Sequence, residues 1–536
     1  MSMNVYYLYD DGAHCRLNAA GLDYTPAYIP ALAAYMGVSI TPVSHSELNT
    51  LVNDDVLIVG AQKIDELPAC RTILLGSTLR GEHKPAERVR RVFAHCLIGG
   101  ERQPLFVPVK RPETEGEIIA YAALDNGEKV PAIVKGESTL EFCFDLAATV
   151  WFSEDGFVPE ELPGYFYIGR TPDTRPLDGL GHDAYNDTLV DVLENTLREF
   201  GVPTLYRLIP TADGEAPDAV MHFSGDDDCA SREFNLSAAK TMFDLGLPYH
   251  INAMPNNERN GFVFEKEVVA MLRDLGCELA LHTNFLGISH TLESVKQQAE
   301  LFVSCLGIQP KTNVNHCLVQ GGSTAERLRW FEACGIIGEN GKCGLYNPEN
   351  INAFDLFGHT FGTAFPRFGL DDAEHSNAPI STMEIPLNYY EPRIYNEGDS
   401  TDKVIKYVDD MVYYGRIGQF FFHPHYLREG SPEREGALRA INTLLTRAKE
   451  RGYKINYSTT NTIADFWMAR SKATVRRDGN SVLVKCDTPL LLRLPRDLAS
   501  DVPMLDGKVV DVQKKTVGAE TAILVYIPSG EHIVTL

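Results

Sequence analysis

The chain has 536 residues, of which 44% are hydrophobic and 23% are charged. These values are ordinary for folded globular proteins, so they exclude a disordered or fibrous chain, and the length indicates two to four domains. Lys and Arg number 49 against 73 Asp and Glu, which gives a formal net charge of −24. Because such a surface repels phosphates and anionic lipids, neither nucleic acid nor a membrane is an expected partner.

The N-terminal segment MSMNVYYLYDDG has no basic n-region, no apolar h-region and no small-residue cleavage site. It therefore does not resemble a secretory signal. There is no run of about 18 apolar residues, the length that would span a membrane. The 11 cysteines are scattered and form no C-x-x-C pairs. This pattern indicates reduced thiols. Together these features predict a cytoplasmic protein.

Residues 1–110 are predicted to form an α/β domain. Val5–Tyr9 and Val56–Val59 are short apolar runs typical of strands, and Ile29–Tyr35 follows a proline, as the start of a helix often does. In residues 111–183, short β-like runs alternate with Gly and Pro. This stretch is predicted to be a β-rich connecting region.

The sequence leaves the role of the N-terminal domain open. A nucleotide-binding or amidotransferase-like role has little support, because the domain has no glycine-rich phosphate loop. Cys15 and Cys70 also lack the context of a nucleophile elbow. A docking domain is the simpler hypothesis.

Residues 184–472 alternate regularly between short apolar runs and segments with helical periodicity. Seven strands are predicted, at residues 219–224, 249–254, 278–282, 312–316, 383–387, 418–425 and 454–459. Repeated strand–helix units without hairpin signals indicate parallel strands, and about seven strands favour a β/α barrel. After this region, residues 473–536 contain short strands separated by turn residues, which predicts an all-β module resembling a sandwich.

Polar side chains gather where the predicted strands end. They are Asp226, Asp227, Asp228, His282, His316, His423 and His425. In parallel α/β folds, the loops after the strands converge and form the site. One Asp and two His from different strand ends can hold a divalent ion with positions open for water and substrate. A second carboxylate can act as the base and a later His can protonate the leaving group, which describes hydrolysis of an amide or ester.

Simpler roles compete with several of these assignments. An Asp run after a strand can cap the next helix, and a His at a strand end can be a structural hydrogen-bonding residue. His222 and His250 lie within apolar strands and are expected to be core histidines. Cys229 and Cys317 adjoin the proposed ligands and are alternative zinc ligands. His290 is a further candidate ligand near a helix start.

The segment FSGDDD (223–228) resembles the first motif of the polysaccharide-deacetylase (carbohydrate esterase) superfamily, a Thr-Phe-Asp-Asp-Gly-like strand end. The resemblance implies that Asp226 is the catalytic base and Asp227 a metal ligand. Divergent members have Asp-x-Asp at this point, and that pattern would make Asp228 the ligand instead.

Two further segments resemble the family's ligand motifs in part. LHTNFL (281–286) has His282 at the first His of the second motif, but Leu286 occupies the place of the second His. NVNHCL (313–318) stands where the third motif is expected. There, the resemblance to divergent members implies that His316 supplies the missing ligand.

The remaining resemblance concerns the acid and base. Val314 occupies the position of the family arginine that orients the base, and Arg367 in AFPRFG is expected to substitute for it. FFFHPH resembles the family's late motif, which implies that His423 is the general acid. The resemblance extends over about residues 184–472.

The sequence thus predicts a metal-dependent hydrolase, with zinc as the expected divalent metal. It would remove an acyl group from a carbohydrate or an N-acylated small molecule by cleaving a non-peptide carbon–nitrogen bond. The alternative is a catalytically degenerate carbohydrate-binding or assembly protein on the same barrel, which the missing His and Arg motivate. The oligomeric state is left open.

Overall fold

The computed structural model describes residues 2–80, 82–89, 91–155, 184–228, 230–256, 261–285, 287–318, 324–342, 358–359, 362–370, 377–394, 401–498 and 502–536. Cys229, Leu286 and residues 156–183 of the predicted connecting region lie outside the described residues. None of the described helices is long and apolar enough to cross a membrane.

The N-terminal region contains a mixed nine-stranded sheet. The first ten strands of the chain are β1 (Ser2–Met3), β2 (Val5–Leu8), β3 (Thr41–Val43), β4 (Val56–Val59), β5 (Arg71–Leu75), β6 (Ala94–Ile98), β7 (Glu101–Leu105), β8 (Glu117–Leu124), β9 (Lys129–Lys135) and β10 (Thr139–Phe142). The helices are α1 (Asp11–Ala19), α2 (Ile29–Met36) and α3 (Leu146–Asp155). The sheet order is β3-β2-β4-β5-β10-β9-β8-β6-β7, parallel up to β10 and antiparallel beyond it. Strands predicted for two separate regions therefore share one sheet.

A second nine-stranded sheet forms the middle of the chain. Its strands, with the separate β11, are β11 (Thr204–Leu205), β12 (Ala219–Asp226), β13 (Tyr249–Ala253), β14 (Cys277–Thr283), β15 (Thr312–Asn315), β16 (Gly338–Glu339), β17 (Arg367–Leu370), β18 (Pro379–Glu384), β19 (Ile417–Phe421) and β20 (Ile455–Ser458). Its helices are α4 (Tyr185–Glu199), α5 (Arg232–Asp244), α6 (Lys266–Asp274), α7 (Leu292–Leu306), α8 (Thr324–Glu332), α9 (Thr401–Tyr414), α10 (Pro424–Leu427), α11 (Arg434–Arg451) and α12 (Thr460–Lys472).

The order of this central sheet is β17-β18-β16-β15-β14-β13-β12-β19, and β20 also pairs with β12. Every pairing is parallel except that of β17 with β18. Six of the seven predicted strands occur close to their predicted residues, whereas the strand predicted at 383–387 overlaps β18 only at residues 383 and 384. The short β16 and β17 were not predicted. Tyr390 makes an isolated parallel bridge to Phe421 of β19. The described strands form no closed ring, so the barrel stays a prediction.

Strand β12 shows how this sheet places polar groups. Met221 and Phe223 are buried in a hydrophobic core shared with the surrounding helices. The alternate residues contact polar partners: His222 bonds to Thr460, and the Ser224 hydroxyl accepts from Gln419. Because side chains alternate between the two faces of a strand, Asp226 emerges on the polar face at the strand's carboxyl end.

The C-terminal strands are β21 (Thr474–Asp478), β22 (Ser481–Cys486), β23 (Leu490–Arg493), β24 (Met504–Leu505), β25 (Lys508–Val509), β26 (Gln513–Val517), β27 (Glu520–Ile527) and β28 (Gly530–Thr535). They form two antiparallel sheets, and each includes a strand from elsewhere in the chain, β1 in one and β11 in the other. Their buried residues share one hydrophobic core with α4 and the N-terminal sheet. The predicted sandwich and the domain boundaries stay predictions.

Candidate metal centre and active site

The end of β12 is shaped by a close backbone approach. A Cβ at Gly225 would lie 1.7 Å from the carbonyl oxygen of Phe422, so only glycine fits there. This contact holds β12 against the chain that follows β19. Asp226 ends β12, and two residues later Asp228 adopts a left-handed conformation with φ of 44°. Asp tolerates this conformation better than most residues do. The three consecutive aspartates consequently have different surroundings.

His282 lies at the carboxyl end of β14, and its two ring nitrogens face different groups. Nδ1 lies 2.9 Å from the carbonyl oxygen of Val314, which fixes the ring and makes Nδ1 the donor. Nε2 lies 3.4 Å from Asp226 Oδ2 and 3.3 Å from Asp228 Oδ1. This buried Nε2 has no hydrogen-bond partner among the described residues. Burial lowers the pKa of His282, but Asp226 and Asp228 outweigh it, so the pKa is raised above its usual value. A proton on Nε2 or a cation bound between these atoms would offset the two facing carboxylates.

His316 follows β15 and completes the first group of possible ligands. Its Nε2 lies 3.8 Å from Asp228 Oδ1, and its ring centroid lies 5.3 Å from that of His282. Burial, together with His282, lowers the pKa of His316 to about 4. His316 is therefore neutral at pH 7 and has a lone pair available for a metal ion.

His423 follows β19 and approaches the same aspartate from the other side. Its Nε2 lies 3.3 Å from Asp228 Oδ2, and its Nδ1 is hydrogen-bonded to the Glu391 carboxylate. Burial lowers the pKa of His423, but Glu391 and Asp228 outweigh it, so the pKa is well above its usual range. His423 is therefore set up to carry a proton in the metal-free protein.

Glu391 was not among the residues predicted from the sequence. It is 2% exposed and lies at φ of 44°, directly after the bridge between Tyr390 and Phe421. Its backbone N–H donates to the carbonyl oxygen of Phe421 at 2.8 Å. The sequence did contain a signal for Glu391. It lies in NYYEP, shortly after a predicted strand, and the loops that follow parallel strands converge on the site.

Asp226 and Asp227 have different partners. Asn252 Nδ2 donates to Asp226 Oδ1 at 2.8 Å, which leaves Oδ2 directed towards His282. Burial raises the pKa of Asp226, and His282 and His423 oppose this shift. Asp227 is fully buried and accepts the backbone N–H of Met254 at 2.8 Å. Asp227 therefore ties the turn after β12 to the end of β13.

Most of the predicted site residues fall into two groups that share Asp228, and Asp227 and Arg367 lie outside both. Two groups have ligand atoms within 4.8 Å of one another, namely Asp228 with His282 and His316, and Asp226 with Asp228 and His423. Asp227 belongs to neither group among the described residues. Arg367 pairs with Glu154, so the contact with Asp226 is made by Asn252 instead.

The competing candidates belong to neither ligand group among the described residues. Burial lowers the pKa of both His222 and His250 to about 3, as expected for core histidines. The ring of His290 stacks on Phe285 with centroids 4.0 Å apart. Burial raises the pKa of the Cys317 thiol, and Cys317 belongs to neither ligand group among the described residues. The ring of His425 lies 5.4 Å from that of His423 and contacts Tyr426.

The donor set fits a divalent metal ion. Two imidazoles and a carboxylate from separate strand ends form the first group, and the Asp228 side chain is 37% exposed, which leaves an approach for small molecules. Mixed nitrogen and oxygen ligands of this kind suit zinc and related ions.

No protein-family model matches the chain, and no curated protein matches it significantly. Several solved structures are similar to part of the chain. A candidate polysaccharide deacetylase from Mycobacterium smegmatis has 15% identity and a TM-score of 0.34, covering 50% of this chain and 96% of that one. A candidate polysaccharide deacetylase involved in O-antigen biosynthesis from Bordetella bronchiseptica has 17% identity and a TM-score of 0.24, covering 48% and 92%.

The catalytic domain of a peptidoglycan N-acetylglucosamine deacetylase from Eubacterium rectale has 10% identity and a TM-score of 0.23, covering 45% of this chain and 89% of that one. Over about half of its length, the chain is thus similar to solved polysaccharide deacetylases, the family that its sequence motifs resemble.

Proposed function

We propose that this protein is a metal-dependent hydrolase that removes an acyl group from an N-acylated carbohydrate or a related small molecule. One observation carries the proposal: a buried His282 nitrogen faces the oxygens of Asp226 and Asp228 with no hydrogen-bond partner among the described residues. When Nε2 carries no proton, these three atoms are all acceptors, and a cation bound between them relieves their repulsion. Asp228, His282 and His316 are its proposed ligands, and zinc is the expected metal.

A divalent ion at this position would supply Lewis-acid chemistry, which activates water and polarises an acyl carbonyl. Asp226 is the proposed base. Asn252 holds one of its oxygens by hydrogen bonding, so the other is free to take a proton from the attacking water. Asp226 is 4% exposed, and a carboxylate in such surroundings keeps a fixed orientation.

His423 is the proposed acid. Glu391 holds Nδ1, so Nε2 is the nitrogen that points into the site, towards Asp228. A proton on Nε2 can pass to the departing group. This favours amides over esters as substrates, since an amine must be protonated to leave whereas an alkoxide depends less on a donor.

The alternative of a degenerate binding protein is less well supported by this arrangement. The sequence departs from the family motifs at Leu286 and Val314, which first motivated that alternative. Yet a paired acid and base, with a buried partner for each, flank the proposed metal position. A carbohydrate substrate rests on the motif resemblance, and the net charge of −24 is compatible with a neutral or cationic sugar.

The two neighbouring aspartates allow a matched test. Asp226→Asn should keep a stoichiometric metal while acyl release from N-acetylated oligosaccharides falls by about 10²–10⁴-fold, the contribution of a general base. Asp228→Asn should lose both metal and turnover. Metal content is measured by mass spectrometry and acyl release by chromatography.

Asp227→Asn is the third member of the series and should keep the metal, because Asp227 contacts the Met254 backbone instead. Full activity of Asp226→Asn, or wild-type metal content in Asp228→Asn, would contradict the assignment.

A further inference from the structure

We infer that this centre contains a second, weaker cation position, formed by Asp226, Asp228 and His423, and that a cation bound there inhibits the enzyme. The inference rests on the proposed function, because it concerns the regulation of the same site. Its basis is the way in which the two groups of ligand atoms share one carboxylate.

Asp228 uses its two oxygens towards different histidines. Oδ1 faces His282 at 3.3 Å and His316 at 3.8 Å, whereas Oδ2 faces His423 at 3.3 Å. A carboxylate in this arrangement can bridge two cations, one on each side. The second side also has Asp226, whose ligand atom lies within 4.8 Å of those of Asp228 and His423.

The charge balance of the centre decides what a second cation must displace. Three carboxylates, those of Asp226, Asp228 and Glu391, surround the two sides, and Asp226 and Glu391 are nearly fully buried. One divalent ion and the proton on His423 together compensate the three negative charges. A second cation therefore replaces that proton when it binds, because uncompensated buried charge is costly.

His423 has the hydrogen-bonding pattern of a metal ligand. Ligating histidines usually donate their second ring nitrogen to a carboxylate, which orients the lone pair of the first. Glu391 makes this contact with His423 Nδ1. The same contact supports an acid catalyst, so a proton and a cation compete for Nε2.

Inhibition follows from this competition. A cation on Nε2 of His423 prevents the histidine from donating a proton, and its contact with Asp226 prevents that carboxylate from accepting one. The second position should be weaker than the first, because it offers one imidazole instead of two and shares its bridging carboxylate with a cation already bound.

The experiment uses the full chain, stripped of metal with a chelator and then titrated with Zn²⁺. Bound zinc is measured by mass spectrometry and acyl release is measured in parallel. The first equivalent should raise turnover and the second should abolish most of it. With Mn²⁺ in place of Zn²⁺, two ions bridged by Asp228 should give a spin-coupled EPR signal, which is a readout independent of activity.

Two variants and one control separate the positions. His423→Ala should keep the first equivalent and lose the second, and Glu391→Gln should weaken binding of the second by about 10–100-fold. His425→Ala is the matched control: it lies two residues away and belongs to neither ligand group among the described residues, so it should bind both equivalents. The melting temperature of each variant shows whether it is folded.

Three outcomes would overturn the inference: one equivalent bound at all Zn²⁺ concentrations, a second equivalent that raises turnover, or a second equivalent still bound by both His423→Ala and Glu391→Gln. Failure of the proposed function differs from these, because the wild-type protein would then bind no first equivalent or would gain no turnover from it.

Discussion

Two sheets of this protein end their parallel strands in polar residues, yet among the described residues only the central sheet gathers possible metal ligands. In the N-terminal sheet, Asp10 follows β2 and caps α1 by accepting the N–H of Ala13 at 2.9 Å. The Tyr24 hydroxyl accepts from the Asp10 N–H at 2.8 Å and donates to Gln62 Oε1 at 3.3 Å. In these contacts each donor meets an acceptor.

The carboxyl end of the central sheet has the opposite pattern. There, the buried Nε2 of His282 and the oxygens of Asp226 and Asp228 are brought together as facing acceptors. Polar residues at strand ends therefore do not by themselves identify a site. What distinguishes the two regions is whether donors face acceptors or several possible metal-ligand atoms face one another.

Metal removal should give the largest difference between the central and N-terminal sheets. Ligand binding at 1,000 times Kd stabilises a folded protein by about 4 kcal/mol, and chelation removes this stabilisation. We expect amide hydrogen exchange to quicken at the carboxyl ends of β12, β14 and β15 and to be unchanged in β2, β4 and β5. Equal changes in the two sheets would contradict a metal site confined to the central one.

The next effect concerns Gly225, the residue before the end of β12. Gly225→Ala places a Cβ 1.7 Å from the Phe422 oxygen, so we expect a loss of about 3 kcal/mol or more in the free energy of unfolding. Gly12→Ala in α1 is the control, because its Cβ meets only side-chain atoms at 3.2 and 3.3 Å. Denaturant unfolding of both variants measures the difference, and similar unfolding midpoints would disprove the close approach.

The third prediction concerns acid, which should change the stability of the two sheets in opposite directions. Per pH unit, its effect on the free energy of unfolding is the smallest of the three. Burial lowers the pKa of His222 and His250 from 6.5 to about 3, so their contribution to stability is present above pH 6.5 and is lost as pH falls towards 3. Each should cost the central sheet about 1.4 kcal/mol per pH unit in that window. Asp145 of the N-terminal region responds oppositely, because burial raises its pKa from 3.8 to about 6.

The Asp145 contribution is complete below pH 3.8 and is lost as pH rises through 6. Acidification from pH 6.5 to 5 should therefore quicken hydrogen exchange in β12 and β13 more than in β5 and β10. His222→Asn should reduce this difference. An equal loss of protection in both sheets would rule out the two histidines as its source.

The sequence predicted the central sheet well because its signals are local. Alternating apolar runs and helical periodicity located six of the seven predicted strands closely, and the seventh, predicted at 383–387, overlaps β18 by two residues. Because loops after parallel strands converge, the sequence also grouped Asp226, His282, His316 and His423 before their contacts were known. The two residues of β16 carry too little periodicity to predict a strand, and β17 pairs antiparallel with β18, outside the strand–helix alternation.

Other assignments needed the folded chain. The different surroundings of Asp227 and Asp228 are one example: Asp228, with its left-handed backbone, faces His282 and His316, whereas Asp227 accepts the Met254 N–H. The partner of Arg367 is Glu154, more than 200 residues away in the sequence. Such pairings depend on how distant segments pack.

The sequence by itself determined the types of side chain available at the strand ends and the order in which they occur. The tertiary structure decided which of them face one another, because contacts such as His423 with Glu391 and Asp226 with Asn252 join different strand ends. Periodicity is a property of neighbouring residues, whereas a ligand set requires angstrom-scale placement of several segments, and only the packing of the whole sheet supplies it.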